Sequence, residues 1–470
     1  VVTKNVADSL QESLVQTSEK PALELRDGSR VAVIGGGPAG SLFSYFLLHM
    51  AGTVSLNLEV DIYEPRYFIH KGPAGCNHCG GVVSETLVQR LATEGINLPP
   101  SIVQRGIDSY TLHMDVGSVR IDTPLHEMRI AAVYRGNGPR NSELMDTVSF
   151  DGYLQEHAID AGARVVRRLV SDLQRDGQVM RVVCPDGYTS DYDLVVVATG
   201  VNSRFLEMAE ALSTDFRHPE TAKTFICEFP LDQFTIQESL GTSMHVFLLD
   251  LPRLEFAALI PKGEYVTMCL LGDEIDEELV EAFLGATEVR QRFPTAIVPP
   301  NVCHCFPRIN VASAVHPFGD RLVMIGDSGT TRLFKDGIGA AYRTAKAAAK
   351  TAIFHGVSAD DFRDHYLPVC KNIEFDNGIG KLVFGVSRQM QKMRFARRAI
   401  LRMTASEQKK TKGRRRMSEV LWDLFTGSAP YRDVFLRTLH PVYLSALLWN
   451  LVASNWPLAR RKRLEQAGAK

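Results

Sequence analysis

The stretch Val31-Ala32-Val33-Ile34-Gly35-Gly36-Gly37-Pro38-Ala39-Gly40 decides the fold. Its first four residues are apolar and read as a buried parallel strand. The glycines then turn the chain so that a helix, spanning about 38–50, starts close against that strand. In this G-x-G-x-x-G pattern Gly35 permits the tight turn, Gly37 lets backbone approach a pyrophosphate, and Gly40 lets helix and strand pack closely. The helix aims its free N–H groups and positive dipole end at that phosphate. Asn57 to Tyr63 reads as a second strand, and Glu64 at its end is placed to take ribose hydroxyls. Strand, turn, helix and acidic residue in this order point to a dinucleotide site.

The chain has 470 residues, enough for about two or three domains. A net charge of −1 points to no nucleic-acid partner. Eight cysteines scattered without regular spacing do not make a disulfide framework, which suggests a reducing, cytoplasmic location. Residues 1–28 are mostly polar, do not resemble a signal peptide and are expected to form a lead-in. No segment has the run of about 18 uninterrupted apolar residues that spans a bilayer.

Beyond Glu64 a long glycine-rich loop, 65–81, leads into a helix for which Ser84 is the expected N-cap. The loop carries His70, His78 and the pair Cys76-x-x-Cys79. That spacing suits a redox dithiol or half of a zinc site. Cys303-His304-Cys305 is the only other cluster, its spacing is poor for zinc, and no metal is expected; thiols lining a pocket are favoured. Alternating strands follow over 109–135. Phe150 to Val166 reads as a capped helix, a stop at Gly162 and a strand, and Asp193 to Gly200 as a buried strand ending in a glycine turn. From about 206 to 304 strand-like runs dominate, the expected substrate-domain sheet. A further strand enters the turn Gly326-Asp327, and Asp336-Gly337-Ile338-Gly339 opens an alanine-rich helix. The Asp327 carboxylate suits the ribityl hydroxyls of a flavin, and the helix N-terminus suits the electron-rich edge of its ring. The same pattern is also that of a strand–turn–helix with a capping Asp.

The last part of the chain is chemically different. Arg388, Lys392, Arg394, Arg397, Arg398, Arg402, Lys409, Lys410, Lys412 and Arg414-Arg415-Arg416 precede an apolar segment with Trp449 and Trp456, and Arg460-Arg461-Lys462-Arg463 follows it. Apolar and aromatic residues flanked by basic ones describe an interfacial anchor on an anionic membrane surface. The competing reading is a basic helical subdomain whose apolar face docks on the protein itself.

The order of these parts resembles the p-hydroxybenzoate-hydroxylase-like FAD superfamily. Within it, Cys79-Gly80-Gly81 before a helix and Ile260-Pro261-Lys262-Gly263 are similar to the geranylgeranyl reductase family. The resemblance covers about 30–354. It implies an α/β fold in which a Rossmann-type FAD-binding domain (29–115, 145–205 and 305–355) interleaves with a β-sheet substrate domain (116–144 and 206–304). A helical, basic C-terminal region (356–470) follows. It also implies FAD held by Gly35, Gly37, Gly40 and Glu64 on its ADP half, by Arg135 near the pyrophosphate, and by Gly200, Gly326, Asp327, Gly337 and Gly339 elsewhere. The chain departs from the family in Phe256-Ala257-Ala258-Leu259 and in the proline-free loop Thr330 to Asp336.

The implied activity is reduction of carbon–carbon double bonds in an isoprenoid or other lipid-like substrate. Cys79 is the candidate acid, with His78 and His70 as alternatives, and the electron donor is NAD(P)H, ferredoxin or another carrier. A lipid substrate agrees with a peripheral position on the inner face of the membrane. The alternatives are an FAD-dependent monooxygenase of an aromatic or polyketide substrate and a membrane-associated flavin electron carrier.

Overall fold

The strand Arg30–Ile34 sits inside a sheet covered on both faces, as four consecutive apolar residues require. In the computed structural model, which describes residues 23–123, 130–143, 148–176, 179–212, 215–292, 302–410 and 412–455, this sheet has six strands. Their order is Phe318–Gly319, Leu322–Met324, Leu194–Val197, Arg30–Ile34, Glu59–Tyr63 and Arg164–Val166. All pairings are parallel except the edge hairpin of the first two. Val33 lies between Val196 and Ile62. The glycine-loop helix, Pro38–Thr53, extends three residues beyond the expected end at Met50. It packs on the helix Gly337–Phe354, with Phe46 and Tyr342 meeting edge-on, ring centroids 5.4 Å apart.

A second, seven-stranded sheet runs in the order Cys303–Cys305, Phe225–Pro230, Tyr265–Gly272, Leu254–Pro261, Ser243–Phe247, Ser109–Met114 and Gly117–Asp122. Only Ser243–Phe247 and Ser109–Met114 pair in parallel. The expected boundary between 115 and 116 therefore cuts a hairpin, and both of its strands belong to this second sheet. Strand periodicity shows which face of a strand is apolar but not which sheet it joins, which is why the boundary was misplaced. Ile130–Val133, expected in the substrate domain, instead joins a small sheet with Val82–Val83 and Val103–Ile107.

The C-terminal region is helical, as expected. Its helices Leu367–Lys392, Arg394–Gln408, Arg416–Thr426, Tyr431–Thr438 and Pro441–Asn455 share an apolar core with one face of the seven-stranded sheet. Trp422 is fully buried there, edge-on to Tyr110 at 5.2 Å. Several basic residues of this region are paired rather than free for an anionic surface. Arg397 donates to Asp115 at 2.9 Å, Arg388 pairs with Glu255, and Arg414 with Glu419. Residues 1–22 of the lead-in, Trp456 and the cluster Arg460 to Arg463 lie outside the described residues. Among the described residues no helix is long and apolar enough to cross a membrane.

Candidate active site

A cleft of about 600 Å³ opens at the carboxyl ends of the parallel strands, where open α/β sheets bind ligands. Gly35, Gly37, Glu64, His78, Cys79, Arg135, Gly200, Asp327 and Gly337 all line it. Gly40, Gly326 and Gly339 stand behind the wall, where their missing side chains permit close approach. A Cβ on Gly40 would collide with the Gly35 carbonyl oxygen, and one on Gly326 would stand 2.8 Å from Ala39 Cβ. Gly35 has φ +103° and faces the Ala198 carbonyl, so it needs both the conformation and the size of glycine.

Glu64 is buried and already engaged. Its Oε2 accepts from the Gly36 N–H at 3.0 Å, and its Oε1 accepts from the backbone N–H and Nε of Arg66, each at 3.0 Å. Arg66 Nη2 also donates to Oε2 at 3.2 Å, so the carboxylate is oriented before any ligand arrives, and a hydroxyl donor would share it with the Arg66 fork. The helix Pro38–Thr53 has Gly37 as N-cap with no side-chain cap, so no side chain competes for its first-turn N–H groups. Asp327 faces the cleft, and burial pushes its pKa up against the opposing pull of Thr331 and Arg135. The neighbouring Thr331 hydroxyl is buried beside the Asp327 carboxylate. Glycine-walled space, helix-terminal donors and an oriented carboxylate fit the needs of a bound dinucleotide.

Arg135, expected near a pyrophosphate, lines the cleft with its charge paired. Its guanidinium forks onto the fully buried Asp151, with Nη2 to Oδ2 at 2.9 Å, and Asn77 donates to the same carboxylate. Burial pulls the Arg135 pKa down, but Asp151 and Cys79 beside it more than offset this, and the net shift is upward. Ser149 joins the pair to the fold: it caps the helix Phe150–Asp160 and donates to the Arg135 carbonyl at 2.6 Å. Arg135 therefore organises Asp151, Asn77 and Cys79 around one charge.

The Cys79-Gly80-Gly81 segment passes close against the second sheet. A Cβ on Gly80 would stand 2.9 Å from Cys269 Sγ, and one on Gly81 would collide with the Val133 carbonyl. Beneath it lies a pair that sequence reading missed: Lys262, 1% exposed, bonds Glu228 at 3.0 Å, and Thr267 donates to the other Glu228 oxygen at 2.7 Å. An ionisable residue at the end of an apolar strand was the available signal. His78 has φ +49°, and burial, with Arg66, lowers its pKa below the usual range. It is neutral at physiological pH and a poor proton donor there. Cys76 accepts from the His78 N–H at 3.2 Å, and burial raises its thiol pKa. All eight cysteines are free. Cys303-His304-Cys305 forms a sheet edge, and no metal-binding cluster occurs among the described residues.

Beyond this segment the cleft is mostly apolar, walled by Met244, Phe256, Ala258, Ile260 and Leu271 of the sheet and by Phe425 of the C-terminal helices. Tyr110 donates to the Phe425 carbonyl, Thr86 to Ser428, and Arg332 to Gly427 and Ala429. The C-terminal region thereby closes the site, a role its composition did not reveal. Next to this wall Glu85 is buried, and burial followed by Asp423 pushes its carboxyl up to about 7. The folded protein holds a proton that the unfolded chain releases between about pH 4.5 and pH 7, so this group's contribution to stability falls as pH rises through that window. Denaturant unfolding at the two ends of the window should show the loss, and Glu85→Gln should remove that component.

No family model and no curated protein matches the chain. Solved structures do. The flavoprotein/dehydrogenase of Cytophaga hutchinsonii aligns with TM-score 0.61 at 14% identity, over 91% of this chain and 100% of that one. The chain has the fold of FAD-dependent flavoproteins. Halogenase PltM in complex with phloroglucinol and FAD aligns with TM-score 0.56 at 12% identity, covering 94% of both chains. For 2-methyl-3-hydroxypyridine-5-carboxylic acid oxygenase the TM-score is 0.54 at 13% identity, over 78% of this chain and 94% of that one.

Proposed function

We propose that the protein is an FAD-dependent reductase of carbon–carbon double bonds in an isoprenoid or other lipid-like substrate. The observation that carries this reading is the apolar lobe that adjoins the Cys79-Gly80-Gly81 segment in the same cleft as the glycine loop. Gly35, Gly37 and the first turn of the following helix would hold the pyrophosphate of FAD. Glu64 would take the adenosine ribose and Asp327 the ribityl chain, and the turn at Gly337 would face the ring. Reduced FAD supplies hydride when bound. An isolated alkene accepts hydride poorly, so the protein must align the bond and deliver a proton at the moment of transfer. Met244, Phe256 and Leu271 would align the chain and exclude water, and Cys79 would give its proton to the second carbon. Arg135 beside Cys79 would steady the thiolate left behind.

Cys79→Ser should lower turnover about a hundredfold, the lower end of what general acid catalysis supplies, and Cys76→Ser far less. Equal losses in a steady-state assay would remove Cys79 from the role of acid. The oxygenase and halogenase among the solved neighbours favour a second reading, oxygen-dependent attack on an aromatic or polyketide substrate. Product formation by pre-reduced protein under nitrogen separates the two: the reductase continues and the oxygenase stops.

The same reading places the protein against a membrane surface. The helix Pro441–Asn455 turns Val442, Leu448, Trp449 and Val452 outward, each more than half exposed, and Leu436 and Leu439 precede them. Exposed Lys392, Arg394, Arg402, Lys409 and Lys410 complement anionic lipid. In flotation with phosphatidylserine-containing vesicles, Leu448→Glu with Trp449→Glu should abolish binding. Unchanged flotation, or a dimer that dissociates on the same substitutions, would contradict the membrane reading.

A further inference from the structure

Lys335 belongs to no role assigned above. It lines the cleft beside Phe334 and Phe425, yet its Nζ is buried without a hydrogen-bond partner. Three aromatic rings surround the amine, Tyr431 at 5.1 Å, Phe384 at 5.6 Å and Phe425 at 5.7 Å from Nζ to the ring centroids. The loop that carries it is tightly held. Its neighbours Phe334 and Asp336 have φ +60° and +56°, a region costly for residues with side chains. Asn377 accepts from the Leu333 N–H, and Tyr431 donates to the Leu333 carbonyl.

The charges facing Lys335 come from every element around it, and all have other partners. Arg332 in the same loop binds Asp336 at 3.0 Å and two backbone carbonyls. Asp376, from the helix Leu367–Lys392, accepts the Tyr431 and Arg432 N–H groups, each at 3.0 Å. Asp423, from the helix Arg416–Thr426, pairs with Arg437. Burial, reinforced by Arg332, holds the Lys335 amine well below its usual pKa. An amine without a partner in an apolar wall is costly until something supplies one.

We propose that Lys335 is the polar anchor of the apolar lobe and pairs with a single carboxylate carried by an otherwise apolar substrate. The inference rests on the reading of this lobe as the substrate site. It narrows the substrate to an isoprenoid or fatty acid rather than a diphosphate, which needs several free cations, whereas both terminal nitrogens of Arg332 already bind Asp336 and backbone carbonyls. Since burial disfavours the charged amine and a carboxylate beside it favours that form, pairing with an ionised acid should draw a proton onto Nζ.

Decanoate titrated calorimetrically into the flavin-loaded protein, in buffers of different ionisation enthalpy, tests this. Decanoate binding should be accompanied by net proton uptake near pH 7.5. Decanoate should also bind at least about tenfold tighter than decanol, and Lys335→Met should lose both the preference and the uptake. Equal binding of decanol, no uptake, no binding of decanoate, or a preference retained in Lys335→Met would overturn the proposal. If Lys335→Met does not fold, the proton uptake of the wild-type protein decides alone. Decanoate binding with uptake but no alkene reduction would leave the anchor standing and sink the reductase.

Discussion

Asp151→Ala is expected to lower the free energy of unfolding by about 3–5 kcal/mol, because it leaves the Arg135 guanidinium buried without its counter-charge. The side chains are 9% and 0% exposed, so solvent offers no replacement. The change also releases Asn77, which donates to the same carboxylate, and loosens the loop that presents His78 and Cys79. Activity should therefore fall with stability. Asp151→Asn keeps an acceptor for Arg135 but not the charge, and should fall between Asp151→Ala and wild type. Denaturant midpoints for the three proteins measure the order. A ranking in which Asp151→Ala matches wild type would mean that Arg135 finds another partner.

Gly40→Val should yield a folded but flavin-free protein, or none at all. Its first side-chain carbon would overlap the Gly35 carbonyl oxygen and press on Val33 Cγ1, 3.0 Å away. The helix must then shift away from the strand, and the first-turn N–H groups lose their aim at a phosphate. Overpacking of this kind costs about 1–3 kcal/mol, but the effect on binding is larger, because the glycine loop and helix start move together. Flavin content after reconstitution is the readout. Gly52→Val is the control, since a Cβ there meets nothing within 4 Å.

What was legible in the sequence was local. The glycine loop from Gly35 to Gly40 announces a strand, a turn and a helix because each residue type answers a steric demand of its immediate neighbours. Ser84 was readable as a cap for the same reason, and it does accept the Leu87 N–H. The converging turns at Gly200, Asp327 and Gly337 were identified one by one, and the fold brings all three to one cleft. Long-range pairings left no such signature. Arg135 and Asp151 are separated by a change of element, Lys262 and Glu228 by a helix and two strands, and Arg332 meets the Gly427 carbonyl 95 residues away. The basic C-terminal region read as chemically separate because composition counts charges without their partners. Arg388 and Arg397 find theirs in Glu255 and Asp115, on strands or turns of the other sheet. The same region supplies Phe425 to the cleft and all three rings around Lys335, Phe384, Phe425 and Tyr431.

Mass spectrometry of a geranylgeranyl-chain acid after anaerobic incubation with reduced protein is the most direct test of alkene reduction in this cleft. The expected result is a gain of about two mass units per reduced bond, with flavin reoxidation in the absence of oxygen. An unchanged mass, with reoxidation only when air is admitted, would contradict it.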